Sequence, residues 1–212
     1  PAGVFNVGLG EPQTTMETLV KDPRVRSVSF TGSTRVGKLV LQAAATDVKK
    51  VALELGGNAP FIVCADADLA LAVKVAVEAK FQTSGQDCCA ANRIMVQRPI
   101  YQEFLTRFAA AVRELRVGPA MLGDVEQQVD VGPLMHRAAF NATCERVDDA
   151  LQHGAHRLVG GEVHALGGLF YQPTVLADVT PQMRIYQEEN FAPIAGVMAF
   201  DTLDQAVEMA ND

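Results

Sequence analysis

Apolar residues in this chain alternate between short continuous runs, which predict buried strands, and runs at three- and four-residue spacing, which predict helices. This alternation is typical of βαβ units and predicts an α/β fold with a mostly parallel sheet. In the first part of the chain, strands are predicted over residues 25–30, 51–55 and 60–64. Helices are predicted over residues 34–45 and from the acidic turn at 66–68 to about residue 80.

The second part of the chain continues the alternation, with strands predicted over residues 93–97, 158–161, 171–176 and 194–200. Pro99 is tolerated in a first helical turn, so it starts a predicted helix with five apolar positions at helical spacing: Phe104, Phe108, Ala111, Val112 and Leu115. A further helix is predicted over residues 137–152, closed by Gly154. Residues 121–130 are polar and irregular, which indicates a surface loop.

Composition narrows the class of protein. Apolar residues make up 49% of the 212 residues, which argues against disorder. No apolar stretch approaches the ~18 residues that span a bilayer. The net charge of −7, with both signs interspersed, argues against nucleic acid or anionic membrane as a partner. Four cysteines without zinc-ligand spacing favour a reduced, cytoplasmic setting.

Cys88 is a candidate nucleophile because it follows a Gly-Gln bend at residues 85–86. An unperturbed thiol is mostly protonated at neutral pH, and backbone N–H groups of a tight turn are expected to lower its pKa. The same N–H groups can hold a developing oxyanion. The alternative is a small buried cysteine packed beside Cys89.

Two other segments carry candidate chemistry. Glu54 lies at a strand end before two glycines, where it is either a general base or an exposed acid. Thr31, Gly32 and Ser33 join a strand to a helix, where free N–H groups favour an anion. His153 and His156 are three residues apart, but Gly154 between them indicates a helix end, so no metal site is predicted.

Four motifs occur in the order found in aldehyde dehydrogenases: Phe-Thr-Gly-Ser-Thr at 30–34, Glu-Leu-Gly-Gly at 54–57, Gly-Gln-Asp-Cys at 85–88, and Glu-Asn-Phe-Ala-Pro at 189–193. The chain resembles that family from end to end. The resemblance implies that residues 1–55 complete a Rossmann-type cofactor-binding domain and that residues 56–212 belong to the catalytic domain. It also implies that the chain is an internal piece of a longer protein, itself a homo-oligomer.

The resemblance implies NAD(P)-dependent oxidation of an aldehyde to a carboxylic acid. Cys88 forms a thiohemiacetal and then a thioester, and Glu54 activates the water that hydrolyses it. The Cys88 N–H supplies half of the oxyanion hole. Positions expected to hold NAD or NADP are Thr31, Gly32, Ser33, Leu55, Glu189 and Phe191. The family usually has Gly where this chain has Ala192.

Within the family, residues 58–63 and 91–93 are most similar to succinate-semialdehyde dehydrogenases. Those enzymes commonly carry an Arg at the position of Gln82, where it grips the substrate carboxylate. An amide lacks the charge and the fork of a guanidinium. Gln82 therefore predicts either a substrate other than a short semialdehyde or a carboxylate held by residues outside this chain.

Two other hypotheses remain open from the sequence. One is a cysteine acyl hydrolase without a redox cofactor, disfavoured because no histidine is placed to activate Cys88. The other is a fragment whose fold persists with an incomplete site. The choice between NAD and NADP and the oligomeric state are not fixed by these residues.

Overall fold

The structure is a computed structural model that describes residues 1–119 and 129–212. The predicted loop at residues 121–130 lies largely outside the described residues. Residues Pro1–Gly56 and Gly57–Asp212 form two compact units. Their identity as cofactor-binding and catalytic domains stays a prediction.

The first unit pairs helices with two parallel strands. Its elements are α1 (Pro12–Lys21), β1 (Ser27–Gly32), α2 (Thr34–Ala45) and β2 (Lys50–Leu55). In the parallel register of β1 and β2, Thr31 lies opposite Glu54. Helix α2 begins as predicted because the Ser33 hydroxyl accepts the Val36 N–H at 3.3 Å. The sequence prediction did not include α1, which Glu11 caps.

The second unit contains β3 (Pro60–Val63), α3 (Leu69–Phe81), β4 (Arg93–Gln97), α4 (Arg98–Arg113), α5 (Arg137–Gln152), β5 (His156–Val159), β6 (Thr174–Ala177), α6 (Arg184–Gln187), β7 (Ile194–Phe200) and α7 (Leu203–Asn211). Within the described residues, its five strands follow the order β3-β4-β7-β6-β5. All neighbours are parallel except β5, which is antiparallel to β6. The predicted mostly parallel α/β fold is confirmed.

The core of the second unit lies on both faces of its sheet. Side chains alternate along β4, so Ile94 and Val96 enter one cluster with α3 and α4, whereas Met95 enters another with α5 and α6. Of the five apolar positions predicted for α4 and its end, Phe104, Phe108 and Val112 are buried, and the other two are partly buried against the same cluster.

The first strand was predicted over residues 25–30, but β1 runs from Ser27 to Gly32. It begins late because the Val25 N–H donates to the Asp22 carbonyl in a turn, and Thr31 and Gly32 pair with β2 and do not form a turn.

Two further strand predictions need correction. The strand predicted from residue 171 begins at Thr174, because Pro173 has no N–H to donate to a neighbouring strand. The strand predicted over 158–161 instead ends at Val159, since Gly160 and Gly161 adopt φ values of +66° and +81°. None of the helices that the structure describes is long and apolar enough to span a bilayer.

Candidate active site

The cysteine loop, residues 82–89, follows α3 and has a left-handed backbone at residues 83–85. Thr83, Ser84 and Gly85 have φ values of 51°, 59° and 67°. Left-handed conformations cost L side chains about 1–2 kcal/mol each, so surrounding contacts must hold them. The buried Ser84 hydroxyl accepts the Gly132 N–H at 2.7 Å and supplies one such contact.

The amide of Gln86 supplies another contact. Its Nε2 donates to the Pro133 carbonyl at 3.1 Å, and its Oε1 accepts the Met135 N–H at 2.8 Å. Both polar atoms of the side chain therefore bind the segment before α5. The bend expected at Gly85-Gln86 is present, and the Gln86 side chain as well as its backbone fixes it.

Gly85 also lies against the segment that contains Glu189 and Phe191. A Cβ at Gly85 would lie 2.3 Å from the Ala192 carbonyl oxygen, so only glycine allows this approach. Ala192 is fully buried, and Phe191 has a φ of 47°, in the left-handed region. The cysteine loop and the segment 189–193 are thus in direct backbone contact.

An asparagine network joins the same segments. Asn92 accepts the Asn190 N–H at 3.1 Å and donates to the Glu188 carbonyl at 2.8 Å and to the Asn58 side chain. Asn58 in turn donates to the Tyr186 carbonyl at 2.9 Å. Three stretches of the second unit are held together by buried or half-buried amides.

Arg93 anchors the end of α7 to this network. Its guanidinium donates to the carbonyls of Asn58, Met209 and Ala210 and lies 5.3 Å from the Tyr186 ring centroid. A cation at a helix C-terminus satisfies carbonyls that have no partner within the helix. The sequence predicted Arg93 as the first residue of a strand and as part of a resemblance, but it did not predict this role.

Cys88 is exposed, as is Cys89, so the alternative of a buried structural cysteine is wrong. Their Sγ atoms are 3.9 Å apart. This contact with Cys89 raises the pKa of Cys88, and burial and the Asp87 charge act in the same direction, whereas the Cys88 backbone N–H favours the thiolate. The backbone N–H thus lowers the pKa as expected, but the net shift is upward because the second thiol, burial and the carboxylate outweigh it.

The remaining predicted positions lie in both units. Glu189 accepts the Gly57 N–H on Oε1 at 3.3 Å, and Gln82 is an exposed residue that caps the end of α3. In the first unit, Glu54 is exposed on β2, and Ser33 caps α2 after Thr31 and Gly32. These placements leave the predicted roles as proposals.

Histidine activation of Cys88 has no support in the geometry. Each of the four histidines bonds elsewhere: His136 caps α5, His153 contacts the Asp149 carbonyl, His156 contacts Asp178, and His164 accepts the Leu166 N–H. The predicted helix end near Gly154 is confirmed, since α5 ends at Gln152 and Gly154 has a φ of +97°. A cysteine–histidine hydrolase is therefore disfavoured.

Lys80 is a feature that the sequence analysis missed. It is fully buried at the end of α3, and its Nζ has no hydrogen-bond partner among the described residues. Burial lowers the pKa of Lys80 to about 7, and the charge of Glu189 acts in the opposite direction. Helical periodicity could have flagged Lys80, because residues 73 and 76 share its buried face.

Comparison with known proteins agrees with this architecture. Residues 1–212 match the aldehyde dehydrogenase family, and the chain belongs to that family. It is 50% identical over 212 residues to a non-phosphorylating aspartate-semialdehyde dehydrogenase of Halomonas elongata, and 49% identical over 211 residues to a 3-sulfolactaldehyde dehydrogenase of Pseudomonas putida. All of this chain is covered in both matches, but only 42% and 43% of those proteins.

A solved structure gives the same answer for the fold. A succinate-semialdehyde dehydrogenase from Burkholderia pseudomallei superimposes with a TM-score of 0.96 at 43% identity. The match covers 100% of this chain and 43% of that one. The chain thus spans less than half the length of the relatives it matches.

Proposed function

We propose that the full-length protein oxidises an aldehyde to a carboxylic acid with NAD or NADP, using Cys88 as the nucleophile. The observation that carries this proposal is the exposed Cys88 thiol on a loop fixed by Ser84, Gly85 and Gln86, in a chain of this family. A fixed loop supports catalysis because it presents the sulfur in one orientation without an entropic cost at each turnover.

In the first half of the reaction, the Cys88 thiolate adds to the aldehyde carbonyl and creates a tetrahedral oxyanion. The Cys88 backbone N–H is one donor available to that oxygen. The bound dinucleotide would supply the hydride acceptor needed to turn this adduct into a thioester. The contact with Cys89 raises the pKa of Cys88 in the present conformation, so a substrate that replaces this contact would favour the thiolate.

In the second half, water hydrolyses the thioester and releases the acid. Glu54 is proposed as the general base, a role that rests on the family resemblance alone. An exposed carboxylate at a strand end before two glycines is compatible with that role.

The residues proposed to hold the dinucleotide fit its chemistry. Helix α2 begins directly after Ser33, and its first-turn N–H groups suit a pyrophosphate. Glu189 uses one carboxylate oxygen for the Gly57 N–H, and its other oxygen has no partner within residues 1–119 and 129–212. A ribose hydroxyl is a suitable donor for that oxygen. Leu55 and Phe191 would contact the nicotinamide side of the cofactor.

The proposed substrate is an aldehyde that carries an acidic group. The names of the two relatives and of the solved structure each describe an aldehyde with a carboxylate or a sulfonate. Gln82 offers an exposed amide where an Arg would offer charge. We propose that Gln82 contacts the substrate and that the acidic group is gripped by residues outside this chain.

The test is dinucleotide reduction by the full-length protein, with NAD and NADP separately. Aspartate semialdehyde, succinic semialdehyde and neutral aliphatic aldehydes form the panel. Cys88→Ala is expected to reduce turnover by about 10⁴-fold or more, as loss of a nucleophile does. The matched control is Cys64→Ala, a half-buried cysteine away from the loop, which should keep turnover. Undiminished turnover in Cys88→Ala would contradict the proposal.

A second experiment addresses Gln82. Gln82→Arg should improve kcat/KM for succinic semialdehyde relative to a neutral aldehyde, because a guanidinium pairs with the carboxylate. An unchanged ratio would show that this position does not decide substrate choice.

A further inference from the structure

Three ligand-type side chains meet at the tip of the cysteine loop. The Sγ atoms of Cys88 and Cys89 and a carboxylate oxygen of Asp87 all lie within 4.8 Å of one another. Both thiols are exposed, and Asp87 is half-buried.

The distance between the sulfurs discriminates between two chemistries. A disulfide needs its sulfurs at about 2.05 Å, far closer than the observed 3.9 Å. Two thiolates on one tetrahedral zinc ion, each at about 2.3 Å from the metal, are separated by about 3.8 Å. The two sulfurs are therefore not joined in a disulfide, and their separation matches that of two thiolates on one metal ion.

Asp87, next to Cys88 in the sequence, supplies the third candidate metal ligand. Its Oδ1 accepts the Cys89 N–H at 2.8 Å, and this bond turns the carboxylate back toward the two sulfurs. Carboxylate oxygens bind zinc at about 2.0–2.2 Å. Three protein ligands with one open position form a common arrangement for zinc, and water would take the fourth place.

We propose that Asp87, Cys88 and Cys89 form a binding site for a soft divalent cation such as Zn²⁺. Binding exchanges two thiol protons for two metal–sulfur bonds, with both protons released to the buffer, and no oxidant is required. Affinity should therefore rise with pH.

The consequence for activity rests on the proposed function, whereas the site itself does not. A cation bound through the Cys88 sulfur occupies the electron pair that would attack the aldehyde. Zn²⁺ then acts as a reversible inhibitor that competes with the aldehyde for this sulfur, and a chelator restores activity.

The test is calorimetric titration of the chelator-treated full-length protein with Zn²⁺. Absorption spectra with Co²⁺ serve as the second readout, because cobalt bound to thiolate shows a charge-transfer band in the near ultraviolet. Cys89→Ser should weaken Zn²⁺ binding by about 100-fold or more, since loss of even an outer-shell partner costs about 10- to 100-fold. Asp87→Asn should weaken it by less. The matched control is Cys144→Ser, which removes a half-buried cysteine outside the cluster and should leave binding unchanged.

The outcomes separate the site from the proposed function. If Cys89→Ser binds Zn²⁺ as tightly as the unchanged protein, or if Co²⁺ gives no thiolate band, the metal site is refuted. If the protein is an active dehydrogenase that shows no binding that depends on Cys89, the proposed function stands without this site. If Zn²⁺ binding is weakened in both Cys88→Ser and Cys89→Ser but Zn²⁺ does not slow turnover, the site stands and the assignment of Cys88 as nucleophile fails.

Discussion

Replacing the buried Lys80 by methionine should stabilise the protein, and the gain should depend on pH. Lys80 is fully buried without a hydrogen-bond partner among the described residues, and burial lowers its pKa from 10.5 to about 7. Methionine has a similar length and no charge, so Lys80→Met removes the cost of burying an ammonium while keeping the packing of α3.

The sign and size follow from proton linkage. Between pH 7 and 10.5 the unfolded chain holds a proton on Lys80 that the folded protein lacks, so the free energy of unfolding rises with pH in that window. At about 1.4 kcal/mol per pH unit, the full cost of the ammonium at low pH is about 5 kcal/mol. Between pH 6 and pH 9 the free energy of unfolding of the unchanged protein should therefore rise by about 3 kcal/mol.

The assay is urea denaturation followed by far-ultraviolet circular dichroism, at several pH values from 6 to 9. Lys80→Met should be more stable than the unchanged protein by up to about 5 kcal/mol at pH 6, and by about 2 kcal/mol at pH 9. Lys74→Met is the matched control, because Lys74 lies on the same helix but is exposed and pairs loosely with Glu78 at 3.9 Å. A stability difference for Lys80→Met that does not change with pH would refute the reasoning.

Three further substitutions test other parts of the second unit. Gly85→Ala should destabilise the protein and impair turnover, because the new Cβ would lie 2.3 Å from the Ala192 carbonyl oxygen and the backbone φ is +67°. Thermal denaturation and an activity assay would measure the two effects. An unaltered melting temperature would contradict the backbone contact. Asp68→Ala should cost about 1 kcal/mol in urea denaturation, because the carboxylate caps α3, whereas Asp66→Ala, just outside the helix, should cost little. Arg93→Met should lower the free energy of unfolding by about 3 kcal/mol, because the carbonyls at the end of α7 lose a charged donor. Hydrogen exchange in α7 should increase, and unchanged exchange there would count against this anchor.

The elements that the sequence predicted best are those whose ends are set by neighbouring residues. Helices α2 and α5 have the predicted bounds. Ser33 and Asp68 cap the helices that follow them through hydrogen bonds within three residues of sequence. Such bonds depend on local geometry alone, so the residue types at those positions suffice to predict them.

Elements that depend on distant partners were predicted less well. The antiparallel edge strand β5 and the late start of β6 follow from pairing between strands, which periodicity does not report. The order β3-β4-β7-β6-β5 brings residues 60 and 194 into one sheet across more than half of the chain. Long-range pairing of this kind is set by packing and not by the local pattern.

The same division holds for the candidate site. The sequence by itself determined the family, the candidate nucleophile and the presence of a bend before Cys88, because motif order and residue type carry that information. Only the tertiary structure decided the ionisation of Cys88, the proposed nucleophile, and of the buried Lys80. Cys89 and Asp87 raise the pKa of Cys88, and burial lowers that of Lys80. A pKa depends on solvent exclusion and on the charges within a few ångströms, and folding sets both.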